Sequence, residues 1–151
     1  MLEKVPNIIK SLNRNNVKYV IIGGYAIILH GYLRATEDLD LVLLMTEENI
    51  NNFQTALKEV YDDKDIDEIN FTELLNYSVI RYGTPDNFYI DVISRIGERF
   101  DYNNISIKEL VIDDIIFKLA TAESLFEMKK NTFREIDKMD VLFLKEKLKN
   151  D

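Results

Sequence analysis

Residues 20–44 read VIIGGYAIILHGYLRATEDLDLVLL, a stretch in which a glycine pair is followed 15 residues later by two aspartates one residue apart. The apolar run Tyr19 to Ile22 has the length of a short buried strand. It feeds into Gly23-Gly24 and an apolar helix from Gly24 to His30, for which Gly31 is a C-terminal cap. A second strand, Asp38 to Leu44, follows. Strand side chains alternate, so Asp38 and Asp40 share one face while Leu39, Leu41 and Leu43 share the other. Two carboxylates on one face beside a glycine-rich turn suit a divalent cation bound to phosphates.

Working outward, Val5 to Asn16 carries Ile8, Ile9 and Leu12 at helical spacing, with Pro6 tolerated in the first turn. Thr46 caps a helix from Glu47 to about Tyr61, although Asn49 stands where a capping box has Glu or Gln. The acidic stretch Asp62 to Glu68 reads as a solvated loop. Tyr77 to Tyr82 and Phe88 to Ile93 read as a hairpin around Gly83-Thr84-Pro85-Asp86-Asn87. Asp91 lies inside the second of these strands, which is otherwise largely apolar. A carboxylate there is costly unless it is paired, with Arg81 or Arg95 in reach, or binds a metal.

The region from Ile105 to Leu119 reads as one or two short strands separated by Asp113-Asp114. A helix from Thr121 to about Lys130 comes next, and Thr132 with Glu135 forms a capping box for a last helix whose apolar stripe is Phe133, Ile136, Phe143 and Leu144. Asp140 falls on that stripe, four residues from both Ile136 and Leu144. A buried aspartate there implies a cation or a backbone donor beside it, and the expected role is to position Lys129 or Arg134. Arg134 and Asp137, three apart, are spaced to pair with each other.

Composition bounds the chemistry. The 151 residues include no cysteine and a single histidine, His30, which excludes disulfides, cysteine-ligated zinc and histidine clusters. Such a length fits one domain, 1–151, with a helical C-terminal portion from about residue 121. The N-terminus lacks a signal-peptide pattern and no apolar run has the length of a membrane span, so a cytoplasmic location is expected. Charge is unevenly placed: from Glu37 to Glu73 twelve acidic residues face two lysines, whereas from Lys129 onward seven basic residues face five acidic ones. Bulk nucleic-acid binding is not expected of such a chain.

The succession of an apolar residue, Gly-Gly, about a dozen residues and Asp-apolar-Asp-apolar resembles the signature of the nucleotidyltransferase superfamily typified by DNA polymerase β. The version with His30-Gly31, Arg34, Thr36, Asp38 and Asp40 is similar to the small bacterial members that include the AbiEii-like toxins. With the later features the resemblance spans about two thirds of the chain. It departs at Leu33, where relatives often have proline. The resemblance implies an α/β fold, a mixed β-sheet packed by helices with C-terminal helices closing one side of a cleft. It also implies a catalytic and metal-binding set Asp38, Asp40 and Asp91, in which Asp91 completes the site and helps deprotonate an acceptor hydroxyl.

By the same resemblance the nucleotide is held at Gly23, Gly24, Arg34, Thr36 and Lys129, with Lys130 an alternative to Lys129. From the residues themselves, Arg34 is also placed to pair with Glu37 or Asp38, and His30, without a nearby Ser or Cys nucleophile, reads as structural. The expected activity is Mg²⁺-dependent, or Mn²⁺-dependent, transfer of a nucleoside monophosphate from an NTP to a hydroxyl of tRNA, a protein or a small molecule such as an antibiotic. The acidic Glu37 to Glu73 segment favours a cationic acceptor over RNA by charge sign. The rival expectation is a noncatalytic nucleotide-binding or protein-interaction module, such as one component of a toxin and antitoxin pair.

Overall fold

The computed structural model describes residues 3–130 and 135–150, with backbone alone at 135 and 136. The elements run α1 (Val5–Arg14), β1 (Tyr19–Ile22), α2 (Gly23–Leu29), β2 (Asp38–Leu43), α3 (Glu47–Val60), a 3-10 helix (Lys64–Glu68), α4 (Phe71–Asn76), β3 (Val79–Gly83) and β4 (Tyr89–Ile93). They continue with β5 (Arg95–Ile96), β6 (Phe100–Asp101), β7 (Ile107–Ile112), β8 (Ile115–Ala120), α5 (Ala122–Lys129) and α6 (Glu135–Asn150). Six strands form one mixed sheet in the order β3-β4-β2-β1-β8-β7, and β5 with β6 makes a separate two-stranded ribbon. The expected α/β architecture is the observed one.

The alternation read in β2 divides the molecule into two layers. Leu39, Leu41 and Leu43 are fully buried on one face, in register with Ile21 and Tyr19 of β1. That face meets α1 and α3: the Tyr19 hydroxyl donates to Asn13 at 2.9 Å, and Ser11 donates to the Ala56 carbonyl at 2.6 Å. The opposite face carries Asp38 and Asp40 and is covered in part by α2 and by the C-terminal helices α5 and α6.

Local chemistry accounts for most element ends. Thr46 Oγ1 accepts from the Asn49 amide at 3.1 Å, as a capping threonine does. Asn49 departs from the capping box because its side chain serves tertiary structure. It accepts from Lys18 N at 2.7 Å and donates to the Lys18 and Leu44 carbonyls, each at 2.9 Å, tying the start of β1 to the end of β2. Between β7 and β8, Asp113 and Asp114 both adopt positive φ, 50° and 65°, which is the two-residue turn that matches strand twist. The region expected to hold one or two short strands therefore forms a hairpin of two six-residue strands, with β8 parallel to β1.

Two expectations need correction. Residues 62–68 are exposed as expected, save for half-buried Asp63 and buried Ile66, but they are not a loop throughout: Lys64–Glu68 forms a 3-10 helix that Ile66 anchors in the core, and Asp63 accepts from the Tyr82 hydroxyl at 2.6 Å. The strand expected from Tyr77 begins only at Val79, because the short helix α4 runs to Asn76 and Tyr77 ends it, its N–H donating to the Glu73 carbonyl at 2.8 Å. In α6, Leu144 is fully buried and Phe143 stacks on Tyr32 with centroids 4.9 Å apart. The capping box at Thr132 and Glu135, Arg134, and the side chains of Phe133 and Ile136 lie outside the described residues. No helix among the described residues is long and apolar enough to cross a membrane.

Asn49→Ala leaves the Lys18 amide without a partner and removes the second donor from the Lys18 and Leu44 carbonyls, which keep Leu44 N and Thr46 N, at a residue that is 4% exposed. Urea denaturation should show a loss of about 3 kcal/mol, while Asn51→Ala on the exposed side of α3 changes stability little. Equal small losses in both variants would contradict this account of Asn49.

Candidate active site

Sheet register assembles the carboxylates. Ile22 pairs with Asp40 across β1 and β2, Asp40 with Asp91 across β2 and β4, and Asp91 with Arg81 across β4 and β3. Residues directly opposite in neighbouring strands point to the same face, so Asp40, Asp91 and Arg81 form one row. Asp38, two residues before Asp40, joins them. One oxygen from each of Asp38, Asp40 and Asp91 lies within 4.8 Å of the others, close enough to converge on one ion.

The three carboxylates are not equivalent. Asp91 receives both ends of the Arg81 guanidinium, Nε at 2.9 Å and Nη2 at 3.1 Å, and Nη2 also reaches Asp38 Oδ2 at 3.2 Å. Asp40 has no such partner, and its Oδ1 is buried without a hydrogen bond. Burial first, then the hydrogen bond and charge of Asp91, then the charge of Asp38, push its carboxyl up to about 7; Lys129 pulls the other way. A buried oxygen without a donor, flanked by two more carboxylates, is a hard-oxygen set that fits a divalent cation.

Glycine is required at both positions of the turn into α2. Gly23 has φ +69°, and a Cβ there would collide with the Asp40 carboxylate. At Gly24 a Cβ would strike Arg34 Nη1 and sit 3.0 Å from Thr36 Oγ1. The pair thus lets the backbone pass closely under the Asp40 carboxylate and under the Arg34 guanidinium. Thr36 Oγ1 lies 3.4 Å from the Asp38 amide, steadying the approach to β2.

The expected alternative for Arg34, pairing with Glu37 or Asp38, is not what occurs. Its Nε lies 3.5 Å from Asp140, a carboxylate with no exposed surface. Asp140 also faces Lys129 Nζ at 3.2 Å, and Lys129 donates to Asp137 at 2.6 Å. The buried aspartate on the apolar stripe therefore does hold Lys129, as its position implied, and it holds Arg34 as well. Asp137 is a partner of Lys129, and the pairing with Arg134 that spacing suggested lies outside the described residues. Lys130 pairs instead with Glu127 at 2.8 Å, turned to the surface. His30 contacts the Ala120 carbonyl through Nε2 at 2.9 Å, a tether between α2 and the end of β8.

A cleft of about 400 Å³ opens beside this constellation. Gly23, Asp40, Val79 and Ile93 line it from the sheet side, and Met128, Lys129 and Asp137 from the C-terminal helices. One wall is thus made by α5 and α6. Arg81 is the residue whose part the sequence did not disclose: it read as a surface partner for Asp91, and only the register shows it spanning Asp91 and Asp38 together.

Solved structures share this arrangement of strands and helices. An antigenic nucleotidyltransferase-like protein from Paracoccidioides brasiliensis matches with a TM-score of 0.63 at 18% identity, over 95% of this chain and 74% of that one. The lincosamide antibiotic adenylyltransferase LnuA, solved with lincomycin bound, gives 0.60 at 15% identity over 96% of each chain. The fold is that of nucleotidyltransferase-like proteins. A third example of the nucleotidyltransferase-like fold, ANT(2″)-Ia in complex with adenylyl-2″-tobramycin, gives 0.56 at 15% identity over 95% of this chain and 87% of that one. No protein-family model matches the sequence, and no curated protein matches it at a significant level.

The raised Asp40 carboxyl fixes a pH dependence. Folded Asp40 holds its proton more tightly than unfolded Asp40, so its favourable contribution is complete below the ordinary carboxylate range and is lost as pH rises towards about 7. In chelator, the melting temperature should fall between about pH 4 and pH 7 by an amount that Asp40→Asn abolishes. A divalent ion should restore it at neutral pH. A wild-type profile matching that of Asp40→Asn across this range would show that Asp40 is not held protonated.

Proposed function

We propose that this chain is a divalent-metal-dependent nucleotidyltransferase that moves a nucleoside monophosphate from an NTP to a hydroxyl acceptor, forming the new P–O bond as the α–β phosphoanhydride breaks and pyrophosphate leaves. The observation that carries the reading is the row of Asp38, Asp40 and Asp91 with an unpartnered, buried Asp40 oxygen, in a fold shared with nucleotidyltransferase-like proteins. Mg²⁺, or Mn²⁺ in its place, held by these three carboxylates supplies Lewis-acid stabilisation of charge on the transferring phosphoryl group.

The protein's own groups divide the remaining work. Gly23 and Gly24 bring the backbone of the turn against Asp40 and Arg34, where any side chain would collide with them, and the triphosphate is held beside this turn. Lys129 and Arg34, fastened by Asp140, provide positive charge on the wall facing the carboxylates, and Thr36 holds the loop entering β2. Asp91 takes the proton from the attacking hydroxyl. Catalysis on this plan is positioning and electrostatics.

Two of the similar structures contain an antibiotic or its adenylylated form, which supports ATP as donor and a small molecule as acceptor here. Charge agrees. A second cavity, of about 460 Å³, shares Val79 with the cleft and is lined by Glu68 and Glu73, a setting that attracts a cationic acceptor and repels RNA. The narrower kinship with AbiEii-like toxins rests on residues 30–40 alone.

Incubation with α-labelled ATP, Mg²⁺ and a panel of cationic small molecules, tRNA and cell protein should label a small molecule. Asp40→Asn should lower the rate by about a hundredfold or more while keeping the wild-type circular dichroism spectrum. Absence of label from all four NTPs, with a partner protein copurifying, would support the interaction module instead. For a cationic acceptor, KM should rise with salt as the Glu68 and Glu73 field is screened; indifference to salt would remove that part of the proposal.

A further inference from the structure

Arg81 stands where a metal ion's charge is needed. Its guanidinium bonds Asp91 through two nitrogens and Asp38 through one of them, so it occupies oxygens of two of the three carboxylates while leaving Asp40 untouched. The residue comes from the edge strand β3, and its side chain is 53% exposed. It also lies 4.6 Å from the ring centroid of Tyr89, itself 41% exposed, so the guanidinium has an aromatic face at the outer rim of the site as well as the carboxylates within it. An exposed, flexible cation bonded to metal-binding oxygens neutralises them only until a stronger cation arrives.

We propose that Arg81 is the resident counterion of the carboxylate row, which a divalent ion must displace from Asp38 and Asp91 in order to bind, and that this competition sets the metal affinity of the site. The proposal rests on the metal-binding reading of Asp38, Asp40 and Asp91. It follows that a monovalent cation, with no more charge than the guanidinium and none of its directed hydrogen bonds, does not open the site. Removing Arg81 leaves three carboxylates facing one another without relief. Such a variant binds a divalent ion more tightly, even without nucleotide or acceptor.

The test measures Mn²⁺ binding to the full chain in the absence of nucleotide, by electron paramagnetic resonance of free Mn²⁺ or by calorimetry, for wild type, Arg81→Gln, Arg81→Lys and Asp40→Asn. Arg81→Gln should bind on the order of tenfold more tightly than wild type. Arg81→Lys, which keeps the charge but not the forked hydrogen bonds, should fall between them. As a second readout, the rise in melting temperature on adding Mn²⁺ should be larger for Arg81→Gln than for wild type. Equal or weaker binding by Arg81→Gln, with Asp40→Asn still abolishing it, would overturn the counterion role and leave the metal site standing. Binding by none of the four proteins would overturn both.

Discussion

The structure depends on one constraint: three carboxylates brought to within 4.8 Å of one another on a single sheet face. Sheet pairing forces the convergence, because the register that buries Leu39, Leu41 and Leu43 on the opposite face places Asp40 beside Asp91. A slip of one residue in β2 would exchange the two faces, exposing three leucines and burying the aspartates among α1 and α3. The hydrophobic core therefore defends the geometry of the polar site. The cost is the burial of Asp40 and, after it, repulsion between the carboxylates, and the raised Asp40 carboxyl is their local signature.

Cations on either side offset that repulsion in different ways. Arg81 meets Asp38 and Asp91 from an exposed edge strand, where ion pairs are weakly held and readily exchanged. Lys129 and Arg34 come from the other side and are fixed by Asp140, which has no exposed surface. Breaking a buried pair of that kind leaves an unsolvated charge and is strongly unfavourable, so this wall is rigid where the Arg81 side is yielding. The asymmetry suits a site in which one cation set persists while the other makes way for a ligand.

The sequence displayed the parts governed by local rules. Strand alternation showed Asp38 and Asp40 on one face, the capping threonine showed the start of α3, and the apolar stripe of α6 showed that Asp140 would be buried beside a cation. The parts it concealed depend on pairing between distant segments. Asp140 reaching Arg34 is a contact across more than a hundred residues, and no spacing rule proposes it. Arg81 opposite Asp91 could be guessed from a hairpin, but its second bond to Asp38 requires knowing that β2 lies beside β4 in parallel. Composition rightly showed the acidic stretch 62–68 as solvated, but it did not show the 3-10 helix Lys64–Glu68, which buried Ile66 anchors to the core.

Charge accounting joins these observations. Among the described residues of the site and its wall, Asp38, Asp40, Asp91, Asp137 and Asp140 face Arg34, Arg81 and Lys129, leaving an excess of two negative charges when all are ionised. One divalent ion balances that excess. An anion entering the same cleft would worsen it unless it arrived with a cation of its own, and the approach is tight, because at Gly23 and Gly24 the backbone already runs against the Asp40 carboxylate and the Arg34 guanidinium. Lys129 already lowers the cost of ionising Asp40 from across the cleft. The buried Asp40 oxygen lies between the fixed wall and the yielding arginine, so it is there that the electrostatic balance of the molecule is left open for a ligand to complete.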